Sequence, residues 1–88
     1  GRISDAVTLI EVALQISPKD AYFLNNRGYI RLLQNRLDEA EADINESLFI
    51  DPYNGWAYRN KGILYLNKKD YSSAERVLRQ AMEIDPSI

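Results

Sequence analysis

The chain has 88 residues, 45% of them apolar and 27% charged, with a formal charge of −2. It holds no cysteine and no histidine. That excludes disulfides, thiolate or imidazole metal sites, a Ser–His nucleophile and any side chain that ordinarily titrates near neutrality. The small net charge speaks against a general affinity for nucleic acid or acidic membrane, and no apolar run approaches the length of a membrane span.

In chain order, the first helix begins near Arg2 or Ser4 and runs to about Ile16. Ala6, Val7, Ile10, Ala13, Leu14 and Ile16 follow the spacing of an amphipathic helix. Ser17-Pro18 ends it, because proline lacks a donor and crowds the preceding turn. Asp20 caps a second helix over 21–34. Gly28 stands inside that helix at a cost of about 1 kcal/mol against alanine. Close approach of another helix would justify that cost. A turn at 35–37 leads to a third helix over 38–50, whose Asp38-Glu39 opening suits a helix N-terminus. Asp51-Pro52 closes it. Asn54 caps a fourth helix over 55–68, with Gly62 inside and Lys68-Lys69 at its cation-favouring end. Asp70 caps a fifth over 71–84, which stops at Asp85-Pro86. The expected class is therefore all-α, with five short helices whose short connections make neighbours antiparallel.

Residues 21–54 and 55–88 repeat each other. Asn26, Gly28, Leu32, Ala40, Glu41, Ile50, Asp51 and Pro52 return 34 residues later as Asn60, Gly62, Leu66, Ala74, Glu75, Ile84, Asp85 and Pro86. Those eight identities exceed the roughly two that unrelated segments of ordinary composition share. Residues 1–20 match the second half of the same unit through Ala6, Ile10 and Pro18. A fixed period of this size marks a repeat array, in which each unit buries its face on the next. A stack of that kind can hold where a single globular core would be marginal. The charge is uneven along it: three basic and six acidic residues give −3 over 21–54, and six basic and four acidic give +2 over 55–88. Surface charges of this kind ordinarily mean solvated helix faces.

The unit resembles the tetratricopeptide repeat, whose signature runs W-x2-L-G-x2-Y, A-x3-F, P. Over 55–88 the matching residues are Tyr58, Lys61, Gly62, Tyr65, Ala74, Leu78 and Pro86. Over 21–54 they are Leu24, Arg27, Gly28, Arg31, Ala40, Ile44 and Pro52. The resemblance implies a right-handed α-solenoid of antiparallel helix pairs. It divides into a half unit at 1–20 and full units at 21–54 and 55–88, an excerpt of a longer array. Gly28 is expected against Ala40 and Gly62 against Ala74, while Ala13, Ser47 and Ala81 take the small position between units. Arg27 and Lys61 replace the usual leucine, with stems packed and charges in water. Arg31 replaces the usual tyrosine. Ser47 is expected to bond back to the carbonyl of Asp43.

The same resemblance implies a non-catalytic scaffold that binds an extended peptide or a partner helix in a concave groove lined by the first helix of each unit. Leu24, Gly28 and Leu32 form the core stripe of the second helix. The stripe beside it gives Tyr22, Asn25, Asn26, Tyr29 and Leu33. The corresponding stripe of the fourth helix gives Trp56, Arg59, Asn60, Ile63 and Asn67. Asn26 and Asn60, two residues before each glycine, are placed to bond the backbone of a bound chain. Some family members hold a C-terminal carboxylate with two such asparagines and lysines. Here Tyr22 and Trp56 stand where those lysines would be, which favours aromatic anchoring instead.

Bland readings win elsewhere. Asn45-Glu46-Ser47 fits a glycosylation acceptor but falls mid-helix, and a cytoplasmic setting is expected before a secreted one. Asp38, Glu39, Glu41, Asp43 and Glu46 read as a solvated face rather than a cation site. Stacking of nucleobases on the aromatics beside Arg59 is disfavoured by the net charge. No cofactor and no metal is expected. The partner is a protein or peptide. The alternatives are self-assembly through the open ends of the stack and a regulatory or targeting segment of a larger enzyme. The end helices motivate the first alternative, through Ile3, Val7, Ile10 and Leu14 at one end and Val77, Leu78, Ala81 and Ile84 at the other.

Overall fold

A computed structural model describes all 88 residues as five helices and no strand. They are α1 (Arg2–Ile16), α2 (Ala21–Leu33), α3 (Leu37–Ile50), α4 (Gly55–Asn67) and α5 (Tyr71–Ile84). The molecule measures 34 × 24 × 21 Å. The α2/α3 and α4/α5 pairs make the most extensive contacts. α3 and α2 both pack on α4, whereas α1 packs on α2 alone. This is a helical solenoid of helix pairs.

The helix starts follow the capping residues. Asp20, Asn54 and Asp70 accept from the backbone N–H of Phe23, Ala57 and Ser73, which satisfies donors that a helix start leaves open. Bonds from Ser73 hold the Asp70 carboxyl below its ordinary range, and Ser87 does the same for Asp85. The helix ends carry a device that propensity alone did not reveal. Asn35 and Lys69, 34 residues apart, both sit at positive φ, 59° and 61°. The N–H of Arg36 reaches the carbonyl of Arg31, and that of Asp70 reaches Tyr65. This is the Schellman closure usually built on glycine. It ends α2 and α4 one residue before the expected boundaries.

Two clusters form the core. Leu32, Ala40, Ile44 and Leu64 lock the first full pair to α4, with Leu37, Leu48 and Ile63 around them. Ile10, Leu14 and Leu24 join α1 to α2. Gly28 lies in the α2/α3 crossing, where an added Cβ would stand 2.9 Å from Ile44 Cγ1 and 3.4 Å from the Ala40 carbonyl oxygen. At Gly62 the nearest side chain is Leu78, at 2.5 Å, the residue one period after Ile44. Gly55, at a helix start, is buried against Ile84 at the end of α5 and Ile88 beyond it.

Several polar residues depart from expectation. Asp43 does not belong to a solvated acidic face: it is buried, and both Arg27 and Arg31 converge on it. The Arg27 charge is therefore paired rather than released to water. Arg31 fills its place in the packing by the same carboxylate. Ser47 Oγ donates 2.7 Å to the carbonyl of Ala21, across the helix pair, rather than back along its own helix. In α5, Val77 and Ala81 face inward and are buried and Leu78 is half-buried, so the apolar surface at that end comes from Ile84, as expected, together with Leu66, Tyr71 and Met82. At the other end Ile10 and Leu14 are buried, while Ile3, Leu9, Val12 and Ile16 are exposed.

Candidate functional site

The period places α2 and α4 side by side, so residues 34 apart meet across one surface. Tyr22, Asn25, Asn26 and Tyr29 of α2 and Trp56, Arg59 and Asn60 of α4 line a single concavity of about 390 Å³. Seven of the ten residues expected in the groove thus come together. Leu33 lines an adjoining hollow between α1 and α2. Ile63 packs on the core cluster between the pairs. Asn67, at the end of α4, donates its amide 2.9 Å to the carbonyl of Ile63.

The three rings differ in support. Tyr22 packs edge-on to Phe23 with centroids 6.1 Å apart. Trp56 carries the Arg59 guanidinium over its face, 5.7 Å from the centroid, within the range of an attractive cation–π contact. All three remain exposed, Trp56 at 53%. Trp56 and Tyr22 sit in the first turns of their helices, set there by the Asn54 and Asp20 caps.

The asparagines behave differently from the ladder expected of them. Asn60 does not reach outward as Asn26 does. It is buried, and its Nδ2 donates 2.9 Å to Oδ1 of Asn25, which is buried too. That bond ties α4 to α2 at the floor of the concavity. It leaves Asn60 Oδ1 without a donor, in a place where an unmade bond costs about 1–3 kcal/mol. Asn25 was legible as a groove residue, but its partner was not, because Arg59 rather than asparagine occupies the matching position one unit on.

Near this surface, on the α3 side, lies the ion network. Arg27 bonds Asp43 through Nε at 2.9 Å and Nη2 at 2.8 Å, and Arg31 adds Nη1 at 2.7 Å. Glu11 of α1 lies 3.4 Å from Arg27 and Glu39 lies 3.6 Å from Arg31. The hydrogen bonds that Arg27 donates to Asp43, opposed by burial, raise the pKa of its guanidinium above the ordinary value. Two-pronged bonding of this kind fixes geometry as well as charge. Its role is to join α1, α2 and α3. No group of His, Cys, Asp or Glu side chains has the arrangement of a metal site, and no helix is long and apolar enough to cross a membrane.

A solenoid of short helix pairs with a glycine at each crossing and an aromatic surface along the first helices defines a class of interaction module. Two family models described as tetratricopeptide repeat match the chain, one over residues 1–55 and one over 55–88. The chain belongs to the tetratricopeptide repeat family, whose repeats generally serve as protein–protein interaction modules. No curated protein matches it.

Proposed function

We propose that the chain is a non-catalytic scaffold that binds a peptide segment of a partner protein in the concavity between α2 and α4. The observation that carries this reading is the convergence there of three exposed rings, Tyr22, Tyr29 and Trp56, around the Asn25–Asn60 bond. Rings that are rigid, large and polar at one edge dominate binding energies when a partner covers them. The lining contains one charge, Arg59, and no carboxylate. It therefore suits a segment with an apolar or aromatic anchor and an acidic residue beside it. A backbone N–H of that segment could satisfy Asn60 Oδ1 after a small rotation of the amide.

The test is selection of binders from a randomised peptide library, followed by calorimetry on variants. Trp56→Ala is expected to weaken the selected peptides by about tenfold or more, the scale of an aromatic anchor. Phe49→Ala is expected to change nothing, since Phe49 is exposed on α3 outside the concavity. Equal affinity for Trp56→Ala and the unaltered chain, with loss on Phe49→Ala, would move the site to the outer helices. The exposed apolar residues on α1 and α5 favour a second reading, self-assembly through the ends. A mass that rises with concentration across a dilution series would support it.

A further inference from the structure

Every residue that lines the concavity between α2 and α4 carries an N–H or O–H donor, and none is a carboxylate. The donors are the hydroxyls of Tyr22 and Tyr29, the indole N–H of Trp56, the asparagine amides and the Arg59 guanidinium. Of the acceptors, Asn25 Oδ1 is already taken by Asn60. Asn60 Oδ1 is buried and open. The surface therefore suits a chain that offers many free carbonyl oxygens and few N–H groups.

The rings add a spacing. Tyr22 and Tyr29 are seven residues apart, close to two helical turns. They share one face of α2, and their Cα atoms differ by about 10.5 Å along its axis. A polyproline II helix advances about 9.3 Å in each turn of three residues, so residues three apart return to one side at nearly that interval. A β-strand returns a side chain to the same side every ~6.7 Å, which does not match. An α-helix can match it, but its carbonyls are closed in its own hydrogen bonds and leave the lining donors unused. Trp56, one period after Tyr22 and with Arg59 over its face, supplies a ring on the α4 side.

We infer that the concavity takes a polyproline II segment of a partner protein, with prolines three residues apart and an acidic residue between them. The inference rests on the reading of this surface as a peptide site. Prolines meet the aromatic rings, the mode by which aromatic-lined grooves hold this preformed conformation. The backbone carbonyls, which make no bonds within such a segment, accept from the tyrosine, tryptophan and asparagine donors. A residue between the prolines keeps the N–H that Asn60 Oδ1 lacks, and the acidic one pairs with Arg59.

The probes are end-blocked nonapeptides titrated by calorimetry into the 88-residue chain. One holds three Pro-Glu-Ala triplets. A second has the same composition with its prolines consecutive, so that none lie three apart. A third is proline throughout and offers neither N–H nor carboxylate. The triplet peptide is expected to bind about tenfold tighter than either of the others. Tyr29→Ala, at an exposed position and with folding checked by circular dichroism, is expected to remove the preference for the triplet peptide over the consecutive-proline one. Tyr29→Phe, which keeps the ring, is expected to retain it. No binding by the triplet peptide, equal affinity for all three, or a preference that Tyr29→Ala leaves in place would overturn the inference. So would library-selected peptides without this spacing that bind more tightly and depend on Trp56. In that case the surface remains a peptide site of another specificity. Absence of any binder that depends on Trp56 would remove the reading of the surface and the inference with it.

Discussion

The units at 21–54 and 55–88 solve one packing problem with different chemistry. Both place a glycine at the crossing and a cap of the same kind at the start of the first helix. Beside the glycine they diverge. The first unit buries a carboxylate between two guanidinium groups, at Asp43, Arg27 and Arg31. The second buries Val77, with Lys61 and Tyr65 in the matching positions. A buried ion pair gives back in Coulomb energy roughly what it costs in desolvation, so the two versions can be of similar stability. The period therefore fixes backbone geometry and small residues, while the adjoining triplet can be a carboxylate between two guanidinium groups or a valine beside a lysine and a tyrosine, provided the three members match.

The sharpest break of that agreement is Val77→Asp. It places a carboxylate in a site that is 1% exposed, with one flexible ammonium nearby instead of two guanidinium forks. A loss of about 3 kcal/mol is expected, toward the lower end of the range for an unpaired buried charge. Adding Lys61→Arg and Tyr65→Arg should recover most of it. Chemical denaturation of the single and triple variants checks both values. If the triple is as unstable as the single, the two units are not interchangeable at this place.

In the first unit the corresponding break is Asp43→Ala. It leaves Arg27 and Arg31 facing each other, but both retain some access to water, so about 2 kcal/mol is expected rather than the full buried value. Asp43→Val combined with Arg27→Lys and Arg31→Tyr, which copies the second unit, is expected to match the unaltered chain within about 1 kcal/mol. The same denaturation curves decide it, and a large residual loss would show that Glu11 and Glu39 matter to the network.

Smaller effects separate the glycines. Gly62→Ala would press a methyl to 2.5 Å from the Leu78 branch, whereas Gly28→Ala meets Ile44 at 2.9 Å. Overpacking costs about 1–3 kcal/mol and helix propensity returns about 1 kcal/mol. The net loss is expected to be larger at Gly62. Thermal midpoints of the two variants give the order. The smallest effect lies in the turns. Lys69 and Asn35 share positive φ, but asparagine tolerates it better than lysine. Lys69→Gly should stabilise by about 0.5 kcal/mol or slightly more, while Asn35→Gly changes almost nothing.

The period carried most of the fold. Gly28, Gly62 and the three proline stops located the helices, and the caps at Asp20, Asn54 and Asp70 set their starts. What the period could not carry is any contact between residues that are not one period apart. The Asn25–Asn60 bond spans 35 positions and so escapes a 34-residue register. Asp43 looked solvated because Asp38, Glu39, Glu41 and Glu46 surround it in sequence. Its burial depends on two arginines one helix away, and no helical spacing within 38–50 reports them. Leu33 was assigned to the groove by its stripe, but at the end of α2 it lines the hollow beside α1. In the concavity, the rings were legible because each sits in the first helix of a unit and outside the core stripe.

Trp56 is the only tryptophan in the chain and stands at the rim of the proposed peptide site, so its emission is a direct probe. Titration with a library-selected peptide, with binding measured in parallel by calorimetry, should shift or quench that emission along the same saturation curve. A peptide that binds stoichiometrically by calorimetry while the Trp56 spectrum stays unchanged would show that the surface between α2 and α4 is not where partners dock.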